Sequence, residues 1–237
     1  SKMYFPIDKN SEEITKLKKE IFGDREVDFL MFFNSRNIRR KQIPDTMMAF
    51  RMFLDSLPKE KADKCSFLLH TEVVCEHGTD LETVRELLFE EKYPNAIYFS
   101  TAKISTKELN LLYNLSDVQI LLTSNEGWGL TLTESILSGT PIIANVTGGM
   151  QDQMRFENKK GEWIDFDEDF PSNHLGTYKR HGEWAFPVYP TGRSLQGSPK
   201  TPYIWDDRCT AEDAAKQIRK VYDLGPEERE KIGKKGR

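Results

Sequence analysis

The sequence predicts an α/β domain built on a Rossmann-like, doubly wound parallel sheet. Short apolar runs alternate with segments of helical periodicity along most of the chain, and this alternation is typical of parallel sheets covered by helices. The 237 residues, 38% apolar and 30% charged, suffice for one domain of ordinary size. Residues 157–207 interrupt the alternation and predict a loop-rich insertion.

The predicted strands are short apolar runs followed by polar or turn-forming residues. They cover residues 29–33, 66–70, 96–99, 118–122 and 141–144, and helical segments lie between them at 44–57, 81–90, 106–115 and 130–137. Several helix ends carry sequence signals. Pro44 suits a first helical turn, Ser105 and Glu108 form a capping box, and Thr210 opens a further helix that ends near residue 224.

The predicted organisation has four segments. Residues 1–26 are expected to be an interdomain linker with a lead-in helix at 10–21, and residues 27–156 are expected to form the Rossmann-like core. Residues 157–207 hold five of the 11 prolines and three of the four tryptophans, which favours an ordered insertion with a hairpin that can border a substrate crevice. Residues 208–237 supply C-terminal helices that close the same domain.

Composition argues against several classes of partner. The 34 basic and 38 acidic residues give a net charge of −4 without a clustered basic face, so nucleic acid is not expected. Three cysteines are too few for a disulfide framework and favour a reducing, cytoplasmic setting. The sequence has no run of roughly 18 apolar residues, so membrane association is not expected.

Other common catalytic motifs are missing from the sequence. The four histidines and the spacing of Cys65 and Cys75 match no metal-ligand pattern. The turn at 127–129 has Leu132 where a dinucleotide fingerprint needs a third glycine, and no Walker-type lysine motif occurs. A flavodoxin-like signalling domain would need a phosphoacceptor aspartate at a strand end, which this sequence does not supply. Redox and phosphoryl-transfer enzymes are therefore disfavoured.

The most informative feature is a pair of glutamates, Glu126 and Glu134, with seven residues between them. They flank a Gly-Trp-Gly turn that follows the strand at 118–122 and opens the helix at 130–137. In α/β proteins such a turn holds anions, because its N–H groups point at the ligand and the helix dipole favours negative charge there. The sequence therefore predicts an anion-binding site at this turn.

Further motifs follow in order. Gly139-Thr140-Pro141 precedes a short β run, Gly148 and Gly149 precede Asp152, and upstream Arg36 and Lys41 are separated by four residues. Over roughly residues 27–155 this order resembles the donor-binding C-terminal domain of retaining GT-B glycosyltransferases of the group 1 family, which is marked by the Glu-x7-Glu motif. The fold that the resemblance implies is one half of a GT-B enzyme.

The resemblance also implies roles for individual residues. Glu126 is assigned to hydroxyls of the donor sugar and Glu134 to the ribose hydroxyls. The leaving diphosphate is assigned to cations and backbone amides, namely Arg36, Lys41, Gly129, Leu130 and Thr131. The base is assigned to backbone groups near residues 101–104, with Thr101 and Lys103 as the candidate residues. Ser35 stands where the family commonly has glycine before the arginine.

The function implied by the resemblance is transfer of a hexose from a GDP- or UDP-sugar to a glycan or other hydroxyl acceptor with retained configuration. No permanently bound cofactor and no metal are expected. The acceptor-binding half of a GT-B enzyme has no counterpart in the sequence, so a missing N-terminal domain is expected as a partner. The alternative is a non-catalytic module of the same fold that binds nucleotide or sugar without transfer.

Simpler interpretations remain open for each site residue. Thr131 and Glu134 also fit a capping box, in which case Glu134 would only cap its own helix. Glu126 could be a surface charge, and Arg36 and Lys41 could be solvated, with Arg39 and Arg40 equally available. Arg193 in the insertion is a candidate contact for donor or acceptor, although loops of this composition more often serve packing.

Overall fold

In the computed structural model, which describes residues 2–237, a parallel sheet of six strands forms the centre of the molecule. The strands are β1 Phe29–Asn34, β2 Cys65–His70, β3 Ile97–Ser100, β4 Val118–Leu121, β5 Ile142–Asn145 and β6 Ala185–Val188; β7 Gly192–Ser198 and β8 Thr201–Arg208 pair as a separate antiparallel hairpin. The sheet order is β3-β2-β1-β4-β5-β6. The order reverses between β1 and β4, which in open α/β sheets opens a crevice at the carboxyl ends of the strands.

Helices connect the strands and cover both faces of the sheet. They are α1 Glu12–Phe22, α2 Ile43–Asp55, α3 Lys59–Ala62, α4 Leu81–Phe89, α5 Thr106–Leu115, α6 Leu130–Leu137, α7 Met150–Met154, α8 Ala211–Asp223 and α9 Gly225–Lys235, with a 3₁₀ turn at Arg39–Lys41. Alternate residues of β1 enter two different cores: Phe29, Met31 and Phe33 pack on one face, Leu30 and Phe32 on the other. Burial on both faces explains why the strand reads as a continuous apolar run.

The predicted fold class is confirmed, and each of the five predicted strands is present with ends shifted by at most one residue. The helices at 106–115 and 130–137 have the predicted bounds. The capping box forms as expected, with the Ser105 side chain accepting from the N–H of Glu108 and the Glu108 carboxylate accepting from the N–H of Ser105. Thr210 likewise accepts from the N–H of Asp213 at the start of α8.

The sequence analysis assigns no strand to residues 185–188, yet β6 pairs with β5 in parallel, with Ile142 opposite Ala185. Pro187 lies inside this strand, and a proline disfavours a central strand because it lacks the backbone N–H that pairs with the neighbouring strand. The position of β6 at one edge of the sheet removes that objection, since proline is tolerated in edge strands. Part of the predicted insertion is therefore built into the central sheet, and the predicted hairpin follows it.

A second difference concerns the segment after β5. Gly148 and Gly149 ahead of Asp152 favour a turn there, whereas the structure has the short helix α7 over Met150–Met154. Both methionines are fully buried, so packing against the core stabilises one helical turn that the local sequence alone would not specify. This helix lies directly behind the predicted anion-binding turn.

Candidate functional site

The candidate site lies at the carboxyl edge of β1 and β4, where the two following loops meet. The backbone N–H of Ser124, just after β4, donates to the carbonyl oxygen of Arg40, just after β1, at 2.8 Å. Because the strands are parallel neighbours, residues some 85 positions apart in sequence come together here. This edge holds both the basic run after β1 and the first glutamate of the motif.

Glu126 forms ion pairs with two cations from the loop after β1. Its Oε2 atom is 2.9 Å from Nη1 of Arg40 and also accepts from Nζ of Lys41. Burial would raise the pKa of the Glu126 carboxyl, but the hydrogen bonds from these cations outweigh it and the pKa is lowered. Burial lowers the pKa of Lys41, and the charges of Arg40 and Arg36 act in the same direction against the opposing effect of Glu126.

Three glycines fix the backbone around Glu126. Gly129 has a φ of 82° and is the residue at which α6 begins, a conformation that glycine adopts without strain. A Cβ atom on Gly148 would lie 1.9 Å from the carbonyl oxygen of Glu126, and one on Gly149 would lie 2.1 Å from that of Gly127. The two glycine-containing turns therefore touch backbone to backbone, which explains their residue types.

The first turn of α6 faces the same edge. Gly129 is its N-cap residue and, as glycine, brings no side-chain acceptor, so the N–H groups of Leu130 and Thr131 begin an uncapped helix. The capping box weighed for Thr131 and Glu134 is absent, because Gly129 is the N-cap residue and no side chain caps α6. The Glu134 carboxylate instead accepts from the phenol of Tyr113 at 2.7 Å. Gly129 lies close to Glu126, because an added Cβ would be 3.5 Å from the Glu126 Cγ.

Glu134 is held by neutral donors. Besides Tyr113, the phenol of Tyr4 hydrogen-bonds to the same carboxylate. Burial and the neighbouring Glu134 charge raise the pKa of Tyr4 to about 12 and that of Tyr113 well above its ordinary value. Both phenols therefore stay protonated donors at any physiological pH.

A cavity of about 440 Å³ opens at the carboxyl ends of β1, β2 and β3. Its lining includes three of the predicted site residues, Arg36, Thr101 and Lys103, together with Asn34 and His70. Nδ1 of His70 lies 2.9 Å from Oγ of Ser100, and burial lowers the pKa of this histidine. The structure thus brings together Arg36 from the loop after β1 with Thr101 and Lys103 from the loop after β3, which were predicted to bind one nucleotide, and adds His70 at the end of β2.

A larger cavity, about 520 Å³, lies at the opposite edge of the sheet. Asp117 in its lining forms ion pairs with Arg229 at 3.2 Å and with Lys9 at 3.3 Å. Because ligands of open α/β sheets bind at the carboxyl ends of the strands, the smaller cavity is the better candidate site. The charges of the larger one serve to join the chain's two ends to the sheet.

Arg193 is engaged within the chain. Its Nε atom is 3.2 Å from the buried Asp207, its Nη2 atom donates to Oγ of Ser172 at 2.6 Å, and its guanidinium lies 4.6 Å from the ring centre of Trp205. The β7–β8 hairpin that carries it is tied to the Glu126 loop, because the N–H of Asp207 donates to the carbonyl oxygen of Ser124 at 2.8 Å. The hairpin therefore borders the site.

Several residues of the site escaped the sequence analysis. Arg40 was named only as available, and the structure makes it a partner of Glu126 while Arg36 is exposed at the cavity wall. Tyr113 and Tyr4 lie 21 and 130 positions before Glu134 and belong to no motif, so nothing in the sequence linked them to it. Only the packing of α5 and the N-terminal segment against α6 reveals these contacts.

Residues 2–237 show no feature typical of a metal site or of a membrane span. They contain no group of three or more His, Cys, Asp or Glu side chains arranged to hold a metal ion. Across this same described range, no helix combines the length and apolar character needed to cross a membrane.

Comparison with known protein families gives a match over more than half of the chain. Residues 17–170 match the family described as glycosyl transferases group 1. The matched range contains β1 to β5, both glutamates of the motif and the cations that face them. A curated relative, trehalose synthase from Pyrococcus horikoshii, is 31% identical over 64 residues, which is 27% of this chain and 15% of that enzyme.

Solved structures share the fold. The C-terminal domain of a glycosyl transferase group 1 family protein from Francisella tularensis has a TM-score of 0.61 at 15% identity, covering 99% of this chain and 92% of that domain. A glycosyltransferase from Rickettsia africae has a TM-score of 0.63 at 17% identity, covering 99% of this chain and 48% of that protein. Sucrose-phosphate synthase from Thermosynechococcus elongatus has a TM-score of 0.62 at 19% identity, covering 99% of this chain and 44% of that protein. This chain thus spans less than half the length of the last two proteins.

Proposed function

The chain belongs to the glycosyl transferases group 1 family, and we propose that it binds the donor for a retaining, metal-independent transfer of a hexose from a GDP- or UDP-sugar to a glycan or other hydroxyl acceptor. The observation that carries this proposal is the pairing of Glu126 with Lys41 and Arg40 beside the first turn of α6. Two cations and a helix N-terminus converge there, which is the arrangement that a departing diphosphate requires.

The nucleoside of the donor is assigned to the cavity of about 440 Å³. The base lies beside Thr101 and Lys103, where backbone groups after β3 supply its hydrogen bonds. Glu134 accepts from the ribose hydroxyls, because a carboxylate can take two hydrogen bonds from a vicinal diol. Tyr113 links these two features, since its phenol contacts both Glu134 and Asn34 of the cavity wall.

The diphosphate and the sugar are assigned to the other side of the turn. Arg36 and Lys41 neutralise the phosphate charge, with the N–H groups of Gly129, Leu130 and Thr131 completing the anion site. Glu126 binds hydroxyls of the hexose. In this arrangement the carboxylate keeps Lys41 and Arg40 in place before the donor arrives, so little reorganisation is needed on binding.

The proposed reaction is the one that the resemblance to retaining GT-B glycosyltransferases implies. The bond between the anomeric carbon and the diphosphate oxygen breaks, and its electron pair goes to the leaving phosphate. The acceptor oxygen bonds to the anomeric carbon on the same face, and its proton passes to an oxygen of the β-phosphate. The protein contributes positioning and stabilisation of the charge on the leaving group, through Arg36, Lys41 and the α6 amides.

The acceptor site is proposed to need a further domain. Support comes from the solved glycosyltransferases, of which this chain spans less than half. The β7–β8 hairpin with Arg193 borders Glu126 and is the part of this chain proposed to contact the donor or acceptor. We further propose a reducing, cytoplasmic setting, which the three unpaired cysteines Cys65, Cys75 and Cys209 support.

Calorimetric titration of the chain with GDP, UDP and ADP, each with and without EDTA, tests the proposal. We expect heat of binding with GDP or UDP that EDTA leaves unchanged. Heat with none of the three nucleotides would refute a donor site, and strict dependence on Mg²⁺ or Mn²⁺ would refute the metal-independent assignment. Binding without transfer, even after an acceptor domain is supplied, would favour the non-catalytic module instead.

A further inference from the structure

Two tyrosines from distant parts of the chain meet at Glu134. Tyr113 belongs to α5 and is fully buried, and Tyr4 belongs to the N-terminal segment and is 9% exposed. Their rings pack edge to face with centroids 5.9 Å apart, and both phenols hydrogen-bond to the Glu134 carboxylate. This second glutamate is therefore held by two neutral donors that the known motif does not include.

The position of Tyr4 is enforced by the backbone around it. The N–H of Phe5 donates to Oδ1 of Asn110 at 3.1 Å, and the N–H of Ile7 donates to Oδ1 of Asn114 at 2.6 Å. Nδ2 of Asn114 returns a hydrogen bond to the carbonyl oxygen of Phe5 at 3.0 Å. Buried asparagines of α5 thus fix residues 4–7, part of the predicted interdomain linker, along that helix.

The hydrogen bonds to Tyr113 have a fixed direction. Nδ2 of Asn34 donates to the Tyr113 phenol oxygen at 2.9 Å, so the single phenol proton is directed at Glu134. Asn34 ends β1 and lines the cavity of about 440 Å³. A continuous chain of hydrogen bonds therefore runs from the cavity wall to the carboxylate.

Neutral donors have a particular consequence for a carboxylate. They fix its orientation while leaving its charge uncompensated, and two of its roughly four lone-pair positions remain for other donors. A vicinal diol supplies two neutral hydroxyl donors and matches that remaining capacity.

We propose that Tyr4 and Tyr113 are positioning residues that aim Glu134 at the two ribose hydroxyls of the donor and thereby set a preference for ribonucleotides over deoxyribonucleotides. This inference rests on the proposed function, because it places a nucleoside diphosphate in the neighbouring cavity. The tyrosines act through Glu134 and do not themselves touch the ribose.

The test compares a ribonucleoside diphosphate with its 2′,3′-dideoxy analogue. The base is whichever of GDP, UDP or ADP the wild-type chain binds, and the two affinities are measured by calorimetry for wild type, Tyr4→Phe and Tyr113→Phe. Each substitution keeps the ring and removes one hydrogen bond, so the ratio of the affinities should fall about three- to tenfold. The affinity for the dideoxy analogue should stay within about twofold of wild type, since that ligand lacks the diol.

Tyr93→Phe is the matched control, because Tyr93 is also a buried tyrosine whose phenol donates to a carboxylate, Asp55, at 3.0 Å. It should leave the ratio unchanged. In a Glu134→Gln background, Tyr4→Phe and Tyr113→Phe should change the ratio no further, as expected for residues that act through one group. The double variants also separate this effect from a general loss of folding.

Other outcomes overturn the proposal. An unchanged ratio in both tyrosine variants, or an equal loss for both ligands, would show that the phenols only satisfy a buried carboxylate. A further fall of the ratio in the Glu134→Gln background would show that they contact the ribose directly. Failure of the wild-type chain to bind any nucleotide would instead remove the proposed function itself.

Discussion

The two glutamates of the motif have only seven residues between them, yet the chain surrounds them with different kinds of donor. Glu126 is paired with the cations Lys41 and Arg40, whereas Glu134 receives the phenols of Tyr4 and Tyr113. Cations compensate the charge of the first carboxylate, while phenols leave the charge of the second in place. Identical side chains are thereby prepared for different tasks.

For the proposed donor site, the difference indicates how one turn would serve both ends of a nucleotide sugar. A carboxylate paired with cations keeps those cations at a fixed place, where they can later face a phosphate. A carboxylate held by neutral donors keeps its capacity to accept from hydroxyl groups. We infer that the surroundings of Glu126 organise charge and those of Glu134 recognise a diol.

The largest expected effect is on stability, from Glu126→Ala. The Lys41 side chain is only 8% exposed and would lose its anionic partner, leaving a buried ammonium beside other cations. Urea unfolding should show a loss of about 3 kcal/mol, as for other broken buried ion pairs. Glu183→Ala, which breaks the exposed pair with Lys235, is the control and should cost less than about 1 kcal/mol. Equal losses of unfolding free energy in the two variants would show that the Glu126 ion pairs stabilise the protein no more than an exposed pair does.

The next effect separates the two carboxylates by ligand. Glu134→Ala should weaken binding of a plain nucleoside diphosphate by about 1.5–3 kcal/mol, the range for hydrogen bonds to a charged group. Glu126→Ala should weaken that ligand less than Glu134→Ala does, because Lys41 and Arg40 keep their charges, and its larger effect should fall on donors that carry the hexose. Calorimetry with a nucleoside diphosphate and the corresponding nucleotide sugar measures both. Similar losses of plain diphosphate binding in the two variants would refute this division of roles.

A smaller effect concerns the cations after β1. Arg36→Ala should weaken diphosphate binding by about 1 kcal/mol, because an exposed cation contributes little more than that, and nucleoside binding should be unchanged. Arg39→Ala removes an equally exposed cation from the next turn and serves as the control. Lys41→Ala should follow the pattern of Arg36 with an added loss of stability. Nucleoside affinity falling as much as diphosphate affinity would make these cations structural.

The smallest effect is a change in the pH dependence of stability. Lys41 and Arg40 hold the pKa of Glu126 below its ordinary value of 4.5. The pair therefore contributes its full stability above about pH 4.5 and loses it as pH falls through the lowered pKa. Urea unfolding at several pH values should show a shallower acid loss for Glu126→Gln than for wild type. The same dependence of unfolding free energy on pH in both proteins would show that the ion pairs of Glu126 do not contribute to acid sensitivity.

Local signals determined most of the fold. Apolar runs and helical periodicity placed β1 to β5, and the capping box at Ser105 marked the start of α5 to the residue. The spacing of the glutamates and the glycines between them located the turn that joins β4 to α6, for which anion binding is predicted. These features are readable because they depend on neighbours within one or two turns of chain.

Tertiary structure decided what depends on contacts between distant segments. Pro187 was compatible with β6 only because that strand lies at the sheet edge. The packing of the loop after β1, rather than residue spacing, places Arg40 in an ion pair with Glu126 and Arg36 at the cavity wall. Tyr4 reached Glu134 because asparagines of α5 bind the N-terminal backbone. Such pairings carry no local periodicity, since the order of strands and the docking of segments alone bring their partners together.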